Sequence, residues 1–128
     1  MQFSTFFATT LTLFTAGSFA CVKITASVSS GLSTTVEVTI NDNGVQTCKG
    51  LVKGCAGVIP CNTSQRWYWA YADTCHNSLN MGPTIQYQTD HGKWEWKGMS
   101  GNCDSWNCCG GNIPCVCRNC WYTRQEFC

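Results

Sequence analysis

The 128-residue chain carries eight Lys and Arg against seven Asp and Glu, interspersed along its length. It therefore has neither the basic footprint of a nucleic-acid binder nor the charge excess of a membrane-disrupting cationic peptide. Beyond residue 20, Leu, Ile, Val and Phe number only 17 in 108 residues, too few for a large aliphatic core, which leaves twelve Cys and six Trp to offset the entropy of ordering the chain.

Residues 1–20 read as an export signal. An apolar run containing Phe6, Phe7, Ala8, Leu11, Leu13 and Phe14 precedes Ser18 and Ala20, small residues at the positions a signal peptidase requires. The segment before the run has no Lys or Arg, and the run falls short of the roughly 20 residues that span a bilayer. Cleavage after Ala20 is expected, with no membrane span elsewhere. Residues 21–128 are then expected to form a single disulfide-stapled domain, β-rich over 21–98 and cysteine-dense over 99–128. The fold class expected is small, disulfide-rich and mainly β, built of antiparallel hairpins with a loop-rich C-terminal segment; an α+β arrangement is the alternative.

In chain order, Ile24, Ala26 and Val28 alternate as a weak strand. Val36, Val38 and Ile40 alternate with Glu37 and Thr39, and Asn41-Asp42-Asn43-Gly44 supplies a turn, so a hairpin is predicted with Ile40 facing Val45 and Val38 facing Thr47. Asn62-Thr63-Ser64 is an acceptor sequence for N-glycosylation at Asn62. Trp67-Tyr68-Trp69-Ala70-Tyr71 fits a strand or a short helix. A second hairpin is predicted across Thr89-Asp90-His91-Gly92, pairing Gln88 with Lys93, Tyr87 with Trp94, Gln86 with Glu95 and Ile85 with Trp96; this register puts the aromatic residues on one face and the polar pair on the other.

The cysteines divide unevenly: Cys21, Cys48, Cys55, Cys61 and Cys75 in the first segment, and Cys103, Cys108, Cys109, Cys115, Cys117, Cys120 and Cys128 in the second. Both counts are odd, so complete pairing requires at least one bridge between the segments. Adjacent Cys108 and Cys109 would form a strained ring and are expected to take different partners. Cys117-x2-Cys120 and Cys115-x-Cys117 have metal spacing, but an oxidising compartment disfavours the free thiolates a metal needs; no metal and no cofactor are expected.

Catalytic groups are few. A small ribonuclease would have to draw on Glu95, on His91 or His76, and on Arg66; the simpler reading makes His91 a turn residue and Glu95 a solvated strand residue. Asp73-Thr74-Cys75-His76-Asn77 differs from the calcium-dependent phospholipase pattern, since Asn77 stands where an Asp belongs beside the histidine. Aromatic pairs are the better lead: Trp67 with Trp69, and Trp94 with Trp96, each place two indoles on one face of an extended chain. Exposed, such a pair is a platform for sugar rings; buried, it is core.

Cys103-x4-Cys108-Cys109-x5-Cys115 is similar to part of the hevein-type chitin-binding module over about 13 residues, although Gly110-Gly111-Asn112-Ile113-Pro114 lacks the serine and aromatics with which that module holds sugar. More broadly, the Met-Gln-Phe-Ser-Thr leader, the small size, the even cysteine count and the terminal Cys128 resemble the small secreted cysteine-rich proteins of filamentous fungi, among them host-directed effectors and antifungal or killer-type toxins. That resemblance implies a monomeric, extracellular, non-enzymatic protein that binds a host or competitor component, whether protein or cell-wall glycan, through a surface held rigid by disulfides. A chitin- or glucan-binding module and a small secreted hydrolase are the alternatives.

Overall fold

The computed structural model describes residues 21–62, 68–76 and 82–128. The expected export signal, Arg66, Trp67 and Asn77 lie outside them. Nine strands run in chain order: β1 (Val22–Ser30), β2 (Thr35–Asp42), β3 (Val45–Lys53), β4 (Ala56–Ile59), β5 (Trp69–Asp73), β6 (Thr84–Thr89), β7 (Gly92–Trp96), β8 (Ser100–Asn107) and β9 (Val116–Glu126). There is no helix among the described residues, so the α+β alternative is not taken. The strands form two antiparallel sheets, five-stranded in the order β3-β2-β1-β9-β8 and four-stranded in the order β4-β5-β6-β7.

One core is shared by both sheets. The weak strand becomes β1, the centre of the larger sheet, and buries Val22, Ile24, Ala26 and Val28; β2 adds Val36, Val38 and Ile40, and the smaller sheet answers with Ile59, Ala70, Ala72, Ile85, Tyr87 and Trp96. Alternation explains how so few aliphatic residues suffice: every second residue of each strand points inward, and the scarce apolar side chains occupy those positions. The core is nonetheless small, because seven of the 16 Leu, Ile, Val and Phe among the described residues are exposed.

Tyr87 crosses this core with its hydroxyl. It donates to Asp42 Oδ2 at 3.1 Å and lies 3.0 Å from Thr47 Oγ1. Burial pushes the phenol's pKa well above the ordinary tyrosine value, so the stability it confers is present below that value and is lost as pH rises past it. Tyr87→Phe keeps the ring and removes the hydroxyl's bonds to Asp42 and Thr47, leaving the buried Thr47 hydroxyl only the Ile40 carbonyl; a loss of about 1–3 kcal/mol is expected in urea unfolding, and an unchanged midpoint would refute the assignment.

The second hairpin, β6–β7, has the expected register: Gln88 with Lys93, Tyr87 with Trp94, Gln86 with Glu95 and Ile85 with Trp96. The first hairpin exists, but its register differs. The turn is the two-residue Asn43-Gly44, both at positive φ (51° and 80°), which suits the twist of a tight hairpin. Asp42 therefore pairs with Val45, and a bulge after Ile40 sets Ile40 opposite Cys48 and Val38 opposite Gly50. The bulge leaves both Thr47 and Cys48 buried.

All twelve Cys are paired: Cys21–Cys128, Cys48–Cys61, Cys55–Cys75, Cys103–Cys120, Cys108–Cys117 and Cys109–Cys115. Cys21–Cys128 is the bridge between the two segments that the odd counts demand, and Cys108 and Cys109 take different partners. Cys48–Cys61 ties residues 60–62 to the edge of β3, where Lys49 N–H donates to the Pro60 carbonyl and Asn62 N–H to that of Thr47. The C-terminal segment contains a loop over 108–115, but flanked by β8 and by β9, at 11 residues the longest strand. β9 pairs along the whole of β1, so the cysteine-dense segment and the β-rich segment share one sheet.

Candidate functional site

On the four-stranded sheet, the core fixes which side chains face outward. Ala70 and Ala72 point in, so Trp69, Tyr71 and Asp73 point out; Ile85 and Tyr87 point in, so Thr84, Gln86 and Gln88 point out; Trp94 and Trp96 point in, so Lys93 and Glu95 point out. The registers then arrange two rows across the outer face: Val58, Tyr71, Gln86 and Glu95 in one, and Trp69, Gln88 and Lys93 in the other.

Trp69 and Tyr71 make an aromatic strip on this face. Their ring centroids are 6.0 Å apart and the rings lie within 7° of parallel. Lys93 Nζ stands 5.9 Å from the Trp69 ring, within cation–π range. Beside the strip, Gln86 Nε2 donates to Glu95 Oε2 at 2.8 Å, and Lys97 Nζ lies 3.3 Å from Glu95 Oε1. The hydrogen bond from Gln86 holds the Glu95 carboxyl below its ordinary pKa. At the end of β5, His76 Nδ1 is 3.0 Å from Asp73 Oδ2, and that bond likewise lowers the Asp73 pKa. The face thus combines flat aromatic surface with amide and carboxyl groups already oriented by one another and with nearly balanced charge. Such an arrangement suits a ligand that is apolar on its ring faces and rich in hydroxyls at its edges.

The sequence candidates are divided by the fold. Trp69 lies on the outer face. Trp96 is only 6 % exposed and belongs to the core; Trp94 is partly buried against it, 6.2 Å from the Tyr87 ring, 6.4 Å from Trp96 and 6.0 Å from Phe127. The Trp94–Trp96 pair therefore takes the buried alternative, because the strand's other face carries Lys93 and Glu95. Asn62 is exposed at the β3 edge. His91 sits in the β6–β7 turn, its Nε2 3.5 Å from Asp90 Oδ1, whereas His76 follows β5 at the other end of β6, about 17 Å away along the strand. Glu95 and the two histidines are not brought to one point. The sulfurs of Cys108, Cys109 and Cys115 lie within 4.8 Å of one another, but each is in a disulfide and offers no thiolate.

Two outward-facing aromatic residues, Tyr71 and Trp121, are not among the sequence candidates. Tyr71 could have been found, standing two residues after Trp69 with alanines between and beyond. Trp121, 49 % exposed on the larger sheet beside Ser27 and Asn102, carries no such signal, because its neighbours Cys120 and Tyr122 are equally compatible with either face. The chain matches none of the protein-family models, curated proteins or solved structures with which it was compared.

Proposed function

We propose that this is a non-enzymatic binding protein of the small secreted cysteine-rich effector or toxin type, acting on a host or competitor by holding a neutral cell-wall glycan on the outer face of its four-stranded sheet. Six disulfides fit an extracellular protein. The observation that supports the glycan is the parallel Trp69–Tyr71 pair flanked by the hydrogen-bonded Gln86 and Glu95. Aromatic rings stack on the C–H faces of pyranose rings while planar amides and carboxylates meet their equatorial hydroxyls. A neutral chain suits a face whose charges cancel, and an anionic polymer would meet no basic tract. The sandwich fixes both partners in place, so little ordering remains to be done on binding.

Retention on insoluble chitin, cellulose and β-glucan tests this. The wild-type protein is expected to be retained on at least one of them, and Trp69→Ala to weaken retention on the order of tenfold or more with an unchanged melting temperature. Passage of the wild-type protein through every polysaccharide overturns the glycan reading, and turnover of RNA by the pure protein, abolished by His91→Ala or His76→Ala, would replace it with a hydrolase.

A further inference from the structure

At one end of the sandwich two loops meet that contain no charged residue. Residues 24–36 carry the β1–β2 turn and residues 105–117 the loop between β8 and β9; neither has a Lys, Arg, Asp or Glu. The two are neighbours: Ser30 pairs with Arg118, and a Cβ added to Gly31 would fall 2.5 Å from Cys117 Sγ. Together they expose Leu32 (93 %), Val116 (72 %), Ile113 (68 %) and Trp106 (46 %). In a chain so poor in aliphatic residues, three of them placed unburied in one small region is a feature that folding does not explain.

Two disulfides cross-link the tip. Cys108–Cys117 and Cys109–Cys115 close rings of 9 and 6 residues' separation across it, so it cannot fold back to hide its apolar groups. No described atom lies within 4 Å of where a Cβ on Gly110 or Gly111 would stand; the loop projects into open space.

The β8–β9 register orders the side chains by depth. Ile113 lies beyond the ladder, Asn107 pairs with Val116 at its end, Trp106 with Cys117 one rung below, Ser105 with Arg118 next, and Asp104 with Asn119 after that. At about 3.4 Å per rung, the sequence from the tip inward is aliphatic, then tryptophan, then arginine about 7 Å back. Arg118 Nε is a buried nitrogen without a hydrogen-bond partner, and Lys53 lies across the same end, opposite Thr35.

We propose that this tip docks into the interfacial layer of a lipid bilayer. The order of side chains matches the order of a membrane surface: aliphatic groups toward hydrocarbon and an indole at the headgroup level, with the first exposed charges, Lys53 and Asp104, set about 10 Å behind the tip. A pocket in a protein partner would instead favour Tyr, Trp and Arg at the extremity, where they anchor by hydrogen bonds as well as area. The driving force is burial of apolar surface rather than charge, consistent with a chain of near-neutral net charge, so the interaction resists salt.

Cosedimentation of the full secreted chain with vesicles tests the proposal. It is expected to pellet with pure phosphatidylcholine vesicles and with phosphatidylcholine–phosphatidylserine vesicles, and to do so at high as well as low salt. Ile113→Asp and Leu32→Asp, both at exposed positions, are expected each to lower partitioning on the order of tenfold without changing the melting temperature. Failure of the wild-type protein to pellet overturns the proposal. So does pelleting only with the anionic vesicles and only at low salt, or pelleting of the Asp variants like the wild type. If sedimentation velocity without lipid shows dimers that Ile113→Asp dissolves, the tip belongs to a second copy of the chain and the bilayer is excluded. Glycan retention does not involve these residues: Trp69→Ala should still pellet with vesicles and Ile113→Asp should still bind polysaccharide, so either reading can fail alone.

Discussion

Replacing Cys21 and Cys128 together by serine is expected to lower stability by about 4–5 kcal/mol, and replacing Cys109 and Cys115 together by only about 2 kcal/mol, on the loop-entropy account of cross-links. The first bridge joins residues 107 apart and the second residues 6 apart, and the unfolded chain gains far more freedom from opening the longer ring. The native geometry points the same way. Cys21–Cys128 closes the end of the β1–β9 ladder, just beyond Val22 opposite Glu126, and β1 is the central strand through which β2, β3 and the core hang together. Cys21 is further held by Asn43, whose N–H donates to the Cys21 carbonyl while its Oδ1 accepts from the Cys21 N–H. Urea unfolding of the two double variants, with the remaining five bridges intact in each, gives the comparison; equal losses would mean that the bridges act through native contacts rather than through the unfolded chain.

The two kinds of stabilisation occupy different places. Inward alternation fills the centre of the sandwich with valine, isoleucine and aromatic side chains, whereas no bridge has both cysteines fully buried, and only Cys48–Cys61 and Cys103–Cys120 reach the core, each with one buried cysteine. Strand ends are where a small sheet frays, and the other four bridges sit there. The buried rows hold the sheets together and leave the outer face of β5–β7 and the β8–β9 tip free to differ without threatening the fold.

How much of this was legible in the residues follows from the kind of signal each element carries. The β6–β7 register could be read because only one pairing puts Tyr87, Trp94, Ile85 and Trp96 together and leaves Gln86 beside Glu95. The β2–β3 register departs from the expected one for two reasons: Asn43-Gly44 alone makes the turn, which sets Val45 opposite Asp42 rather than Ile40, and the extra residue Thr47 shifts the pairs beyond it by one more, with no composition cue to mark it. β8 and β9 were hidden by their cysteines and by Arg118 and Arg124, which lie on the inward-pointing positions of β9 and break the polar–apolar alternation. The pairing of β1 with β9, at opposite ends of the chain, has no local signature at all; only the odd number of cysteines in each segment hinted at a covalent link. For the aromatic pairs, spacing showed that two indoles share a face but not which face. In β7 the alternating Lys93 and Glu95 settle the matter, since they are poorly suited to a core; of the other pair Trp67 lies outside the described residues, and in β5 the alanines that alternate with Trp69 are apolar too, so only the packing of the two sheets decides.

That difference gives a direct test of the site. Trp96→Ala is expected to cost about 3–5 kcal/mol, the range for removing a large aromatic from a packed interior, because its ring lies at 6.2 Å from Tyr87 and 6.4 Å from Trp94 and is almost wholly buried. Trp69→Ala, on the outer face, is expected to cost less than about 1 kcal/mol, since what it loses is a contact with Tyr71 and the approach of Lys93. Urea unfolding with all disulfides intact measures both, and the bridges keep even the weaker variant folded enough to be purified. A Trp69 variant as unstable as the Trp96 variant would place the indole in the interior and remove the platform. The expected inequality, by contrast, is what an aromatic platform on the outer face of the sheet requires.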